Sequence, residues 1–365
     1  MRTPTLSVLC IGLCSTFQAV AQSSTPLTHY QTCVLEAVEQ GDNSTSISHI
    51  KKQCKNEADT QLSHADNQSD DKADAVIFST KVEGAGKRLG TKERLNGLIS
   101  SRINKERARQ FDPFVITPHR LNYILPVYFT DSLNTEAYDF NEDWQENMTS
   151  LESKFQLSLK VPLTRSTTFI ENDGFYFGMT LEAWWQVYSE NISKPFRETN
   201  YRPEFFYLAP LPWHPFDGNT GFVVGIEHQS NGRSQELSRS WNRIYVNLLY
   251  EHGNFAMSFK PWWRINENPK ESPFAARGDD NPDINEFLGY YEAELAYKWH
   301  DLEFHSLFRS NFASHKGAVQ LGFTFPLVGT LRGYAQYFSG YGESLIDYNH
   351  AQQRLGIGVA LNSFF

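Results

Sequence analysis

From about Pro118 to its C-terminus the chain alternates with period two. Phe155, Leu157, Leu159 and Val161 interleave with Lys154, Gln156, Ser158 and Lys160, the pattern of a strand with one apolar and one polar face. Near the end, Leu355, Ile357, Val359 and Leu361 oppose Gly356, Gly358, Ala360 and Asn362, and the chain closes on the aromatic Phe365. About twelve such segments are predicted, over 119–129, 154–162, 175–187, 204–210, 221–230, 242–251, 255–264, 286–298, 301–309, 317–326, 330–340 and 353–365. In the second half, tight turns (His252-Gly253-Asn254, Trp299-His300, Leu327-Val328-Gly329) alternate with long connections (265–285, 341–352). An even number of antiparallel strands, with short turns at one end and long loops at the other, predicts an all-β fold. The expected architecture is a twelve-stranded antiparallel transmembrane β-barrel with both ends in the periplasm.

The first 21 residues carry Arg2, an apolar stretch from Leu6 to Phe17 and the small-residue site Ala19-Val20-Ala21, a secretory signal peptide. Cys10 and Cys14 lie within it, and Cys33 and Cys54 remain as one pair in an oxidising compartment. Residues 22–113 read as a small, partly helical periplasmic region with a Cys33–Cys54 disulfide, followed by a linker. In its last part Leu95, Leu98, Ile99 and Ile103 have helical spacing. The barrel is assigned to 114–365. Gly84-Ala85-Gly86-Lys87-Arg88 lacks the spacing and final Ser/Thr of a phosphate loop.

Composition narrows this picture. No run of eighteen apolar residues follows the N-terminus, which excludes a bundle of membrane helices and leaves a barrel open. Aromatic residues make up 14%, including 27 Phe and 17 Tyr, which fits an aromatic girdle. The net charge of -9 argues against nucleic acid as a partner.

Parity makes one awkward prediction. Phe222, Val224 and Ile226 share a face with His228 and Ser230, and Asn242 shares one with Ile244, Val246 and Leu248. Three hydrogen-bonding side chains thus sit on lipid-facing surfaces near the outer rim, where an unpaired polar group costs roughly 1–4 kcal/mol. Ser230, two residues after His228, lies about 7 Å further along the same face, and Asn242 opens the neighbouring strand, about 4.8 Å away. This is the arrangement of a nucleophile, a base and an orienting group. Gly232 can bring its N–H close to a developing oxyanion because it has no side chain. A His-x-Ser pair alone is common, and rim residues that only solvate at the headgroup level are the competing reading.

The segment "HQSNGRSQELSRSWNRIY" closely resembles the active-site segment of the outer-membrane phospholipase A (detergent-resistant phospholipase A) family. "SKPFRETNYRPEFF" at Ser193, "KPWWR" at Lys260, "DDNPDI" at Asp279, "GYYEAEL" at Gly289 and "YFSGYGESLIDYNHAQQRLGIGVALNSFF" extend the resemblance over about 114–365. It implies hydrolysis of the sn-1 and sn-2 acyl esters of membrane phospholipids, with lysophospholipase activity, Ca2+ dependence and activation as a homodimer. On this resemblance Ser230 is the nucleophile, His228 the base, Asn242 the third member and Gly232 the oxyanion donor. Calcium falls on the Arg233 carbonyl and Ser238, with Ser193 contributed across the dimer, and on Asp280 in a separate monomer position. The chain departs from the family at Gln235, where an aspartate is frequent, and at Leu181, where a polar interface residue is expected.

Two rivals remain. A channel or structural barrel is opposed by the mixed signs of the inward residues Lys154, Gln156, Lys160, Arg243, Glu251, Glu292, Glu294 and Lys298, which predict a hydrogen-bonded plug. A soluble serine hydrolase is opposed by the lack of a G-x-S-x-G elbow, Gly342-Glu343-Ser344 having no closing glycine.

Overall fold

The computed structural model describes residues 97–109, 117–139, 141–165, 167–272, 275 and 277–364. The expected signal peptide, the expected Cys33–Cys54 disulfide and most of the N-terminal region lie outside the described residues. A two-residue strand β1 (Thr117–Pro118) precedes twelve long ones: β2 (Tyr123–Thr130), β3 (Leu151–Pro162), β4 (Gly174–Trp185), β5 (Phe196–Leu211), β6 (Asn219–Ser230), β7 (Ser240–His252), β8 (Phe255–Ile265), β9 (Tyr291–Trp299), β10 (Leu302–Asn311), β11 (Lys316–Val328), β12 (Leu331–Tyr341) and β13 (Ala351–Ala360). Each of β2–β13 pairs antiparallel with the next, and β13 pairs with β2, closing the barrel. Closure leaves no unpaired strand edge in the hydrocarbon, the condition for a sheet to span a bilayer.

The predicted alternation sets the two faces. Val224, Ile226, Ile244, Leu248, Leu295, Leu321, Leu355 and Ile357 point outward and are exposed, in a continuous apolar belt. Lys154, Arg243, Glu251 and Glu292 point inward and are buried. Two lumen clusters dominate. Glu152 holds Arg197 at 3.0 Å and also pairs with Arg354, while Arg197 reaches Asp347 at 3.0 Å. Glu227 gathers Arg202 at 3.2 Å, Lys260 at 2.8 Å and Arg243. Between the clusters a cavity of about 360 Å³ remains, lined by His119, Arg120, Glu204, Glu294 and Arg309 among others.

Three boundaries differ most from the periodic reading. β5 begins at Phe196, eight residues before the expected 204. A bulge opposite Trp184 and Trp185 leaves Arg197 as an extra residue, so Arg197 and Glu198 are both buried and the alternation breaks. Residues expected to start the next strand at 286 instead belong to the helix α3 (Ile284–Leu288), whose Ile284 and Leu288 pack with Leu345 and Tyr348. The last strand stops at Ala360, and the tail is drawn aside: the Phe364 N–H donates to Glu303 at 3.2 Å, and its ring stacks on His305.

The helical spacing before the barrel is helix α1 (Leu98–Arg109). Ile103 packs among the inward residues Tyr176, Phe206, Leu208 and Val223, so the helix sits in the lumen at the short-turn end. Its first N–H groups, on Ile99 and Ser100, donate to the carboxylate of Glu251 at 2.5 and 3.1 Å. A carboxylate at the helix start satisfies orphan donors and complements the dipole. Gly97 allows the approach, since a Cβ there would fall 2.2 Å from Glu251 Cδ. The short helix α2 (Glu142–Asn147) caps the β2–β3 loop, with the Asn141 side chain accepting from Trp144 N–H.

Candidate functional site: a polar file on the outer face

The β6–β7 register places His228 directly opposite Asn242, and Ser230 opposite Ser240. Val224, Ile226, His228 and Ser230 follow one another on the outward face, as their parity predicts. Directly opposed residues on one face have Cβ atoms about 5 Å apart, close enough for short polar side chains to meet. His228 Nδ1 lies 2.8 Å from Asn242 Oδ1. Asn242 Nδ2 donates in turn to Glu267 Oε1 at 2.7 Å. All three members of the predicted constellation are half-buried. The structure joins His228 to Asn242, and it places Ser230 one outward step beyond the histidine. Among the described residues no hydrogen bond joins Ser230 Oγ to the imidazole; such contacts are often loose without substrate.

The loop from Asn231 to Arg239 is built around one buried amide. Asn231 Oδ1 accepts the N–H groups of Arg233 at 3.2 Å and Arg239 at 3.0 Å, and its Nδ2 donates to the Leu237 carbonyl at 2.7 Å. Glu198 Oε2 lies 3.4 Å from the same Nδ2. Within this loop Gly232 has φ +64°, and a Cβ would stand 3.2 Å from Tyr201. Its N–H, one residue past the peptide of Ser230 and Asn231, donates to no group among the described residues. Arg233 is pinned by its guanidinium, which donates to the carbonyls of Phe196 at 2.8 Å and Arg197 at 3.0 Å.

Ser238 and Asp280 come together: Ser238 Oγ donates to Asp280 Oδ2 at 2.9 Å, and Ser240 Oγ donates to the same oxygen at 3.0 Å. Lys270 pairs with the other carboxylate oxygen. Ser193 stands apart on the β4–β5 loop, exposed and with φ 58°. Gln235 is likewise exposed with φ 57°. Leu181 points outward from β4, opposite Leu157 and Tyr201.

The family model described as phospholipase A1 matches residues 99–361. The chain belongs to the phospholipase A1 family. Phospholipase A1 of Escherichia coli K12 is 40% identical over 256 residues, covering 70% of this chain and 84% of that protein. The Klebsiella pneumoniae phospholipase A1 is 40% identical over 258 residues, 70% of this chain and 85% of its own. Among solved structures, an active-site mutant of E. coli outer membrane phospholipase A superposes with TM-score 0.66 at 37% identity, over 73% of this chain and 98% of that one. The Salmonella typhi outer membrane phospholipase, a dimer with bound calcium, gives 0.65 at 36% identity over 71% and 98%. This phospholipase A1 family member is therefore a phospholipase and a β-barrel of the bacterial outer membrane, and the reading as a non-enzymatic barrel falls.

Sequence reasoning missed Asn231, Glu198 and Glu267. Asn231 and Glu198 gave no signal, because the loop contacts of Asn231 and its approach to Glu198 on β5 arise only once the loop is folded and the strands are in register. Glu267 had one: it is the next outward position after Trp263 and Ile265 on β8, and Ile265 pairs with Asn242.

Proposed function

We propose that the chain hydrolyses the sn-1 and sn-2 acyl esters of glycerophospholipids, and of lysophospholipids, by a Ser-His-Asn mechanism on the lipid-facing side of the barrel toward the outer leaflet. One observation carries this reading: the 2.8 Å contact between His228 Nδ1 and Asn242 Oδ1, on an otherwise apolar face, with Ser230 next along that face. An asparagine-to-histidine pair exposed to lipid has no packing role to explain it, whereas an ester-bearing lipid reaches it by lateral diffusion.

In the proposed cycle Asn242 Oδ1 accepts a hydrogen bond from His228 Nδ1–H, leaving Nε2 unprotonated as the base. Ser230 Oγ forms a bond to the acyl carbonyl carbon while Nε2 takes its proton. The C–O bond to glycerol then breaks as the imidazolium returns that proton to the leaving oxygen. Water, losing a proton to the same nitrogen, attacks the acyl-serine; the Oγ–acyl bond then breaks as the imidazolium returns that proton to Ser230 Oγ, releasing the fatty acid. In this reading Gly232, whose N–H has no partner among the described residues, donates to the oxyanion.

The donor set suits calcium, which takes hard, neutral and carboxylate oxygens in loose geometry. Ser238 Oγ and the Asp280 carboxylate already lie within hydrogen-bond distance of each other, and the Arg233 carbonyl belongs to the same loop. We assign Arg233, Ser238 and the partner-contributed Ser193 to a calcium site of the active dimer, and Asp280 to a separate position in the monomer. When bound, calcium supplies positive charge beside the oxyanion. Ser193, exposed on the β4–β5 loop, fits a residue that completes a site across an interface. The dimer would also form a groove for acyl chains, and activity would stay latent until phospholipid reaches the outer leaflet and the dimer assembles.

The decisive measurement is fatty-acid release by purified full-length protein in mixed phospholipid micelles, with and without a calcium chelator, beside Ser230→Ala. Release that requires calcium and disappears in the variant is expected. Release that survives Ser230→Ala would refute the assignment.

A further inference from the structure

His228, Asn242 and Glu267 form a single hydrogen-bonded file across three neighbouring segments: β6, β7 and the loop that leaves β8. Their placement follows from register. His228 opposes Asn242, Asn242 opposes Ile265, and Glu267 is the next residue of outward parity beyond Ile265. We infer that Glu267 is a positioning residue of the phospholipase reaction, acting through Asn242 on the tautomer and charge of His228. This inference rests on the Ser-His-Asn reading above.

The argument is one of donors and acceptors. An asparagine amide has two ends of nearly equal shape, one accepting and one donating. With nothing on its far side, the amide of Asn242 is free to flip. Flipped, its NH2 faces His228 Nδ1, which must then accept, and the proton moves to Nε2. A histidine protonated on Nε2 cannot take a proton from Ser230. An ionised carboxylate only accepts, so at 2.7 Å from Asn242 Nδ2 Glu267 forces the NH2 group outward. Oδ1 then faces the imidazole and Nδ1 carries the hydrogen. The sequence therefore supplies, two bonds from the base, the orientation that an aspartate would provide by being acceptor at both ends.

Glu267 also adds charge. The other ionised groups around the file are engaged elsewhere: Asp280 with Lys270, Asp279 with Arg264, Glu227 in the lumen with Arg202, Arg243 and Lys260, and Arg233 on the carbonyls of Phe196 and Arg197. Glu267 pairs with no lysine or arginine among the described residues. Its negative charge, relayed through the Asn242 dipole, favours the imidazolium formed when Ser230 gives up its proton.

Two substitutions separate orientation from charge. Glu267→Gln keeps an acceptor oxygen and loses the charge; Glu267→Leu loses both. In the full-length protein with calcium we expect Glu267→Gln to lower kcat about threefold, with KM unchanged, and to move the acid limb of the kcat/KM profile to lower pH, as an exposed charge effect would. Glu267→Leu is expected to lower kcat about twentyfold, and Glu267→Asp to recover most of the activity. In an Asn242→Ala background, Glu267→Leu should cost less than twofold more, because residues that act as a unit are not additive. A kcat and acid limb that stay at wild-type values in both Glu267 variants, while Ser230→Ala is inactive, would overturn the role of Glu267 and leave the Ser-His-Asn reading intact. Activity surviving in Ser230→Ala would instead remove that reading itself. Equal additive losses in the wild-type and Asn242→Ala backgrounds would also overturn the relay, since Glu267 would then act without Asn242.

Discussion

The barrel carries polar side chains on both of its faces, and the two sets are built on opposite terms. In the lumen, Glu152 and Arg197 are fully buried and each carboxylate meets two or more cations or hydroxyls. On the outer face, His228, Asn242 and Glu267 stand in single file, half-exposed or exposed, each with one partner on either side at most. Redundant partners inside make the network stiff, and removing one member strands the others. A file with single partners leaves one end open, at Ser230, where a substrate can complete it. Polar groups that serve structure are cross-braced, whereas those to which we assign chemistry are left with a valence to fill.

The sharpest way to break this comparison is to remove one residue from each region and measure both rate and stability. Ser230→Ala should lower fatty-acid release by about 10⁶-fold while leaving the unfolding midpoint in detergent unchanged, because its hydroxyl makes no hydrogen bond among the described residues. Glu152→Ala should do the reverse. It leaves Arg197 and Arg354 buried beside fewer anions and is expected to cost about 3–5 kcal/mol of stability, with the specific activity of the folded fraction preserved. Urea or thermal unfolding in detergent, scored beside single-turnover release, checks both. A destabilised Ser230→Ala or an inactive but stable Glu152→Ala would erase the distinction.

The same distinction explains what was legible in the sequence. Period-two runs gave twelve strands because the bilayer imposes alternation wherever a strand has lipid on one side. The pattern failed where lipid no longer disciplines it: at Arg197 and Glu198, where a bulge buries two consecutive residues, and at Ile284–Leu288, where a loop folds back into the lumen as a helix. The outward placement of His228, Ser230 and Asn242 was legible because polar residues on an apolar stripe stand out against their own strand. Glu267 continued the outward stripe of Trp263 and Ile265, yet it lies past the end of β8 in a polar loop, where a carboxylate does not stand out from its neighbours. Asn231 and Glu198 were illegible for another reason. Their meaning lies in partners 6 and 33 residues away from Asn231, and polar loop residues look alike until the strands are in register.

A smaller effect tests the bracing of the lumen through pH. Asp347, in the loop after β12, feels burial, which raises its pKa. Arg197, Arg354 and the Ser344 hydroxyl outweigh that burial and hold it at about 2. Its ordinary value is about 3.9. A carboxyl whose folded pKa is depressed contributes stability above the unfolded value and loses it as pH falls through the folded one. The contribution, about 2 kcal/mol, should therefore be complete above about pH 4 and vanish toward pH 2. Asp347→Asn should lower Tm at pH 7 and flatten its fall between pH 4 and 2. A variant whose acid slope matched the parent would show that the arginines do not hold this carboxylate.

The smallest expected effect concerns an outward position with no chemistry at all. Leu181 faces lipid on β4, between Leu157 on β3 and Tyr201 on β5. If two barrels lie side by side on this face in the active form, a glutamine here would meet its counterpart across the twofold axis. Hydrogen bonds between membrane-embedded side chains average about 0.6 kcal/mol, so Leu181→Gln should tighten the dimer roughly threefold, with no change in the activity of fully dimeric enzyme. Sedimentation equilibrium in detergent with calcium reads this directly. A glutamine that finds no partner gains nothing from lipid, and the dimer would then weaken or stay as it was. That outcome would move the interface elsewhere on the barrel. It would also sharpen the contrast between the two faces, because an outward polar side chain would then be tolerated only where, as at His228 and Asn242, a second residue on the same barrel completes it.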